Sequence, residues 1–225
     1  MTESRRESDA AARLLRVVPL LAIGGVLVAL SALLGWWVFA QGNQAFAIDV
    51  WWNSLLASGW SPLLGGFSLV LNFLGGGWFA ILVIPIGGAI ALIILRRPWS
   101  ATYFLAAQAI SVGFVQVLKT TFGRARPEDI LIHSDYGSFP SGHVAGAATL
   151  ATILILLFPR VGVLITGIAW TLLMAFSRTY LHAHWLSDTL GGALAGTGAA
   201  LVVAAAFVRP LGREMRHVPS GWSPG

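Results

Sequence analysis

Ser177-Arg178-Thr179-Tyr180-Leu181-His182-Ala183-His184-Trp185-Leu186-Ser187-Asp188 sets a cation, two imidazoles and a carboxylate between two apolar runs. Those runs are on the scale of a bilayer crossing, roughly 20 residues. Charged groups close to membrane depth are unfavourable and imply a function. His184 and Asp188 are four apart, which on a helix places them about 40° from each other around the axis, so the carboxylate can hold an imidazole tautomer. Arg178, six before His184, would lie about 120° from that face in one unbroken helix. A chain break between Arg178 and His184 is therefore expected. One helix ends near the arginine, the next begins near the histidine, and both ends face a common pocket.

Composition sets the class. Of 225 residues, 56% are hydrophobic and 10% charged, and the mean hydropathy is +0.78. A soluble core cannot use that much apolar surface, so the chain reads as one integral membrane domain. The absence of cysteine excludes disulfides and thiolate metal sites. The net charge of +5 does not indicate nucleic acid, because no basic run is interleaved with aromatics as a binding groove requires.

Working outward, the expected fold is all-α, a six-span transmembrane bundle. Residues 1–16 form a polar cytoplasmic tail, 17–208 the membrane domain and 209–225 a basic cytoplasmic tail. The first span is Val17 to Ala40, read as retained although Val38-Phe39-Ala40 loosely resembles a cleavage site. Ile48, Trp51, Trp52, Leu55 and Leu56 follow at helical spacing, which indicates an interfacial helix or one packed on the bundle. Leu63 to Leu95 is too long for one perpendicular span and is punctuated by Asn72, Gly75-Gly76-Gly77 and Pro85. It is expected to start in the interface or as a re-entrant segment and to span with its second half. Ser100 to Leu118, His143 to Phe158, Val161 to Phe176 and Trp185 to Val208 are the remaining spans.

Basic residues orient the ladder. With the N-terminus inside, ten of the 14 Lys and Arg residues are cytoplasmic: Arg5, Arg6, Arg13, Arg16, Arg96, Arg97, Arg160, Arg209, Arg213 and Arg216. The positive-inside bias thus gives an N-in, C-in protein, with Lys119, Arg124, Arg126 and Arg178 on the outer face.

Two further clusters share that face. Lys119-Thr120-Thr121-Phe122-Gly123-Arg124-Ala125-Arg126-Pro127 combines a point charge with a planar fork, a pairing suited to phosphoryl oxygens. Basic residues at a span end ordinarily snorkel to lipid headgroups, but these lie on the side that the positive-inside rule depletes. Pro140-Ser141-Gly142-His143 precedes an apolar run. Serine suits an N-cap, the first helical amides attract an anion, and glycine permits close approach. Alone, the tetrapeptide reads rather as an ordinary capped helix with a surface histidine.

Taken together, the clusters resemble the type-2 phosphatidic acid phosphatase family, which shares its site with vanadium haloperoxidases. The family pattern K-x6-R-P, P-S-G-H and S-R-x5-H-x3-D is filled in order by Lys119, Arg126-Pro127, Pro140 to His143, Ser177-Arg178, His184 and Asp188. The resemblance covers Lys119 to Asp188, and the six-span frame looks like the bacterial integral-membrane members. It implies that His184 attacks phosphorus, that Asp188 fixes its tautomer, and that His143 protonates the leaving oxygen and later activates water. Lys119, Arg126, Arg178, Ser141 and Gly142 would hold the equatorial oxygens, with no metal and no cofactor. Arg124, His133, Asp135 and His182 fall outside the pattern. His182 is expected to face away from the pocket.

The resemblance implies an enzyme acting on a membrane lipid phosphate at the extracytoplasmic leaflet: a polyprenyl diphosphate, phosphatidic acid or phosphatidylglycerol phosphate. Headgroup selection would lie in Ser134 to Phe139 and in the groove between spans. The alternatives are a lipid phosphotransferase using the same site, or a transporter or structural bundle retaining a phosphate site. A complete His143, His184 and Asp188 set speaks against the latter, since binding needs only the cations. Haloperoxidase activity fits least, because those relatives are soluble. The expected partners are the bilayer and its lipid phosphate, and no nucleic acid. The oligomeric state stays open.

Overall fold

The computed structural model describes residues 3–133 and 136–217, with side chains placed for 14–133 and 136–214. Ser134 and Asp135 of the polar loop, and the tail from Val218 onward, lie outside the described residues. Within them the regular structure is helical: α1 (Glu3–Ala40), α2 (Ala47–Ser58), α3 (Pro62–Gly75), a π-helical turn (Phe79–Val83) leading into α4 (Ile84–Ile94), α5 (Pro98–Phe122), α6 (Gly142–Leu157), α7 (Val161–Tyr180) and α8 (Leu186–His217).

Four segments are long and apolar enough to cross a membrane: Leu14–Ala40, Pro98–Phe122, Val161–Tyr180 and Leu186–Glu214. The broken pair Pro62–Gly75 and Phe79–Ile94, bent by 42°, makes a fifth. α6, the fourth of the six expected spans, has only 16 residues. The chain is thus a multi-pass membrane protein. α6 is apolar all round and packs against α3, α5, α7 and α8, which is the position of a helix without a polar face. Ile48, Trp51, Ile81, Ile90, Ile165 and Leu172 lie on the exterior instead.

Boundaries follow local chemistry. α3 opens with Pro62 after the N-cap Ser61, whose hydroxyl accepts from Leu64 N at 3.2 Å. α5 likewise starts at a proline and ends at Gly123, whose φ of +55° is the left-handed conformation of a helix stop. The segment expected as a polar N-terminal tail is helical from Glu3 and continuous with the first span. The last helix also outruns its expected end at Val208. Its extension carries Glu214 back to α5, where the carboxylate accepts from Trp99 N at 2.7 Å and Ser100 N at 3.1 Å.

Small residues let α8 approach its neighbours backbone to backbone. A Cβ on Gly24 would lie 2.9 Å from Val202 N, and one on Gly196 would lie 2.1 Å from the Ala145 carbonyl. Such close approach is how apolar helices associate in lipid, where no hydrophobic force drives them together. Contact with α6 matters most, because α6 opens with His143 and α8 with Asp188.

The apolar stripe of α2 is buried at one edge only: Leu56 is buried, whereas Ile48, Trp51 and Leu55 are exposed. The inward face instead contains Asp49, 1% exposed. In lipid the outer surface is the apolar one, so the polar residue marks the inside.

Candidate active site

The expected chain break is present. α7 ends at Tyr180, α8 begins at Leu186, and Arg178 and His184 reach the same cavity from these two ends. One detail differs: His184 is not on the helix with Asp188 but in the turn before it. Asp188 sits in the first turn of α8, where its Oδ2 accepts from Trp185 N at 2.9 Å, half of a capping box. This fold-back still sets His184 Nδ1 3.6 Å from Asp188 Oδ2, just beyond hydrogen-bond length. No other partner meets that nitrogen.

The opposite side of the ring is better defined. His184 Nε2 lies 3.1 Å from Arg126 Nη1. A guanidinium only donates, so Nε2 accepts, and the ring proton of the neutral imidazole is on Nδ1, towards Asp188. Burial draws the His184 pKa down to about 4. Asp188 opposes this shift, and the positive charges of Arg178 and Arg126 reinforce it. His184 is therefore neutral at pH 7, and its Nε2 lone pair accepts from Arg126.

His143 shows the converse. Its Nε2 is 3.2 Å from the backbone carbonyl of Asn72, an obligate acceptor, so this nitrogen bears a proton. Asn72 also accepts from Arg178 Nη1 through its side-chain Oδ1. The glycines after it fit closely against the histidine, since a Cβ on Gly76 would lie 2.2 Å from His143 Nε2.

The remaining expected residues divide into two layers. Lys119, Gly142, His143, Arg178 and His184 line a cavity of about 580 Å³. Arg126, Ser141 and Asp188 are not among its lining residues. Lys119 Nζ and Arg126 Nη2 both donate to the Gly137 carbonyl, at 2.6 and 3.0 Å, which gathers the two cations. Ser141 occupies the N-cap position of α6 but does not cap through its side chain. Its N–H donates to the Asp188 carbonyl at 3.0 Å, and its buried hydroxyl has no partner among the described residues.

Beyond the phosphate end, the cavity follows one face of α5 through Gln116, Val115, Val112, Ser111 and Gln108. Counted from Lys119, the eleven helical steps to Gln108 make this groove about 16 Å long. Phe73, Leu74, Trp78, Ile81 and Ile84 form its apolar opposite wall.

Several site residues escape motif reading. Arg124, outside the pattern, is 1% exposed and binds Asp188 Oδ1 at 2.6 Å and Asp49 Oδ2 at 2.8 Å. Ser138 Oγ donates to Asp188 Oδ2. A buried cation with two carboxylates is tightly constrained, because removing one partner of such a set typically destabilises by about 3–5 kcal/mol. Asp49 did carry a signal: it is the sole acidic residue between Asp9 and Glu128. His182 does turn away from His184. It is buried, its Nδ1 meets Asp129 Oδ2, and it adopts a left-handed φ of +51°. His133 is exposed and joins the cavity lining. Among the described residues, no three His, Asp or Glu side chains gather as a metal-binding group.

A sequence profile of the PAP2 superfamily matches residues 100–210, which enclose all three clusters. Lipid A 1-phosphatase of Rhizobium johnstonii is 30% identical over 166 residues, 69% of this chain and 66% of that one. Phosphatidylglycerophosphatase B of Bacillus subtilis is 30% identical over 142 residues, 58% of this chain and 69% of that one. The crystal structure of Aquifex aeolicus LpxE superposes with a TM-score of 0.63 at 26% identity, covering 71% of this chain and 96% of that one.

Proposed function

The chain belongs to the PAP2 superfamily and is a membrane lipid phosphatase, and from that premise we propose that it cleaves a lipid phosphate through a phosphohistidine on His184. The observation that carries this reading is the opposite proton placement on the two cavity histidines. His184 offers a lone pair at Nε2 beside Arg126, and His143 offers a proton at Nε2. Nucleophile and acid are thus distinguished by their partners before substrate arrives.

In the first step His184 Nε2 forms a bond to phosphorus, and the bond from phosphorus to the lipid oxygen breaks. The departing electron pair takes the Nε2 proton of His143, which enters this step as the doubly protonated, cationic ring and leaves it neutral, ready to act as a base. Lys119 and Arg178, with the Gly142 amide, hold the equatorial oxygens as charge spreads over them. Arg126 and the Ser141 hydroxyl, outside the cavity lining of the substrate-free protein, join them when the phosphate displaces Arg126 from His184 Nε2. In the second step His143 removes a proton from water, which attacks phosphorus and frees His184. This sequence uses no metal and no cofactor.

A groove about 16 Å long with an apolar wall suits a substrate that keeps an alkyl chain in the membrane while its phosphate meets the cations. We place the site on the extracytoplasmic side of a six-span, N-in, C-in bundle. The ten-to-four split of basic residues supports that orientation. So does α6, whose 16 residues run about 24 Å from the site to the opposite end, where Arg97 Nη1 donates to the Leu157 carbonyl at 3.3 Å. The named relatives act on lipid A and phosphatidylglycerophosphate, so the substrate class is an anionic lipid phosphomonoester, with polyprenyl diphosphate and phosphatidic acid as the comparison set.

The test is phosphate release from these lipids by purified protein in detergent, with and without EDTA, alongside alkaline quenching of the reaction with labelled substrate. Base preserves a phosphohistidine that acid would destroy. We expect chelator-resistant release and label on His184. Loss of activity in EDTA with recovery on magnesium, or turnover without labelled protein, would reject the mechanism.

A further inference from the structure

Behind His184 lie two carboxylates and one guanidinium, where a single ion pair would suffice to hold Asp188. Arg124 Nη1 meets Asp188 Oδ1 at 2.6 Å, Arg124 Nη2 meets Asp49 Oδ2 at 2.8 Å, and all three side chains have zero exposure. Ser187 joins them. Its N–H donates to Asp49 Oδ1 at 2.8 Å, and its hydroxyl donates to Asp49 Oδ2 at 2.7 Å and accepts from Arg124 Nη1 at 2.8 Å. Phe46 N adds a fourth contact to Asp49 at 3.1 Å. Formally the trio carries one negative charge, whereas Arg124 with Asp188 alone would carry none. Sealed from water, that difference acts on the neighbouring imidazole with little screening.

We propose that Asp49, carried in by α2, is a positioning residue for the nucleophile: it neutralises Arg124, so that Asp188 is held by a guanidinium yet keeps its negative field on His184. The proposal rests on the reading of His184 as nucleophile. When Nε2 joins phosphorus and the lipid oxygen leaves with its electron pair, the ring keeps its Nδ1 proton and becomes cationic. An ion pair of zero net charge would stabilise that ring poorly, and the trio stabilises it with its residual negative charge. α2 therefore acts in the chemistry without approaching the phosphate, since Asp49 is absent from the cavity lining.

Asp49→Asn removes the charge while leaving a side chain able to cap α2. Groups that orient a functional side chain from behind are typically worth about 10- to 100-fold in activity, and we expect kcat to fall by that factor with KM unchanged. Vanadate, which bonds to the nucleophilic nitrogen as a transition-state mimic, should lose affinity by the same factor, while inorganic phosphate binds as before. Asp49→Asn with Arg124→Gln restores a formal charge of one negative and should turn over faster than either single variant. If Asp49→Asn does not accumulate, the double variant against Arg124→Gln makes the same comparison. Wild-type kcat in Asp49→Asn, equal losses of vanadate and phosphate affinity, or a double variant no better than the singles would overturn the proposal. Failure of the underlying mechanism is read separately, from wild-type protein that yields no phosphohistidine after alkaline quenching.

Discussion

His184 and His143 line one cavity and are built into it by different means. Around His184 the restraints are ionic and deeply buried: Arg126 in front, and Asp188, Arg124 and Asp49 behind. Around His143 they are backbone: the Asn72 carbonyl and the glycines that follow it, at the point where the chain bends by 42° and enters a π-helical turn. The contrast matches the demands of the two roles. A nucleophile needs its ring fixed and its positive charge offset, whereas an acid that later serves as a base must meet first a lipid oxygen and then a water. A carbonyl on a bent, glycine-rich segment can yield to those ligands more readily than an ion network can.

Exchanging the histidines for alanine breaks the comparison most severely. His184→Ala should remove turnover and the nitrophenol burst with every substrate, a loss of at least about 10,000-fold, as for other deleted nucleophiles. His143→Ala should lose about 100- to 10,000-fold on a lipid monophosphate, whose alkoxide must be protonated. An aryl phosphate should keep much of its burst, because nitrophenolate departs without a proton. Equal burst losses on both substrates in His143→Ala would contradict this division of labour.

A gentler change acts through the backbone. Gly76→Ala would bring a Cβ to 2.2 Å from His143 Nε2. Displacing a reacting group by about 1 Å can reduce rates about 100-fold. That loss should appear with lipid substrate and largely spare the aryl phosphate burst. If Gly76→Ala also suppresses the burst, the α3 segment supports both histidines rather than one.

The smallest effect is a resistance to acid. The His184 pKa, held at about 4 rather than 6.5, leaves the ring about 90% neutral at pH 5, where an ordinary histidine would be only about 3% neutral. Burst rates on an aryl phosphate, corrected for substrate ionisation, should thus change little between pH 7 and pH 5 and fall near pH 4. Because the folded state disfavours the protonated ring, His184 contributes stability that is complete above pH 6.5 and is lost as the pH falls towards 4. A burst that declines near pH 6.5 would show that the ring is more solvated than its 3% exposure indicates.

Motif spacing singled out residues that the fold gathers at one cavity, because Lys119, Arg126, His143, Arg178 and His184 occur in short runs with internal periods. It could not disclose the residues behind them. Asp49 meets Ser187 across 138 residues and Asn72 meets Arg178 across 106, and no local period encodes such pairings. The helices were similarly half visible. Charge-free length located the crossings, but the periodicity of α2 could not tell which edge of its apolar stripe is buried: Leu56 is, and Ile48, about 80° round the helix, is exposed. Where the solvent is lipid, apolar character does not separate inside from outside. A lone acid or amide within such a segment is the better guide, and Asp49 and Asn72 were both of that kind.

The glycine seam along α8 bears on how the chain tolerates processing. Ser31 Oγ donates to the Gly191 carbonyl at 2.9 Å, and a Cβ on Gly198 would lie 2.9 Å from the Gly24 carbonyl, so α1 fills a channel that α8 has no side chains to fill itself. Cutting after Ala40, as a leader peptidase acting at Val38-Phe39-Ala40 would, removes the stave that closes the barrel rather than a label attached to it. Lipid tails are too mobile to replace a helix packed at backbone distance. A chain shortened there should emerge with the helix that carries Asp188 left without its outer support.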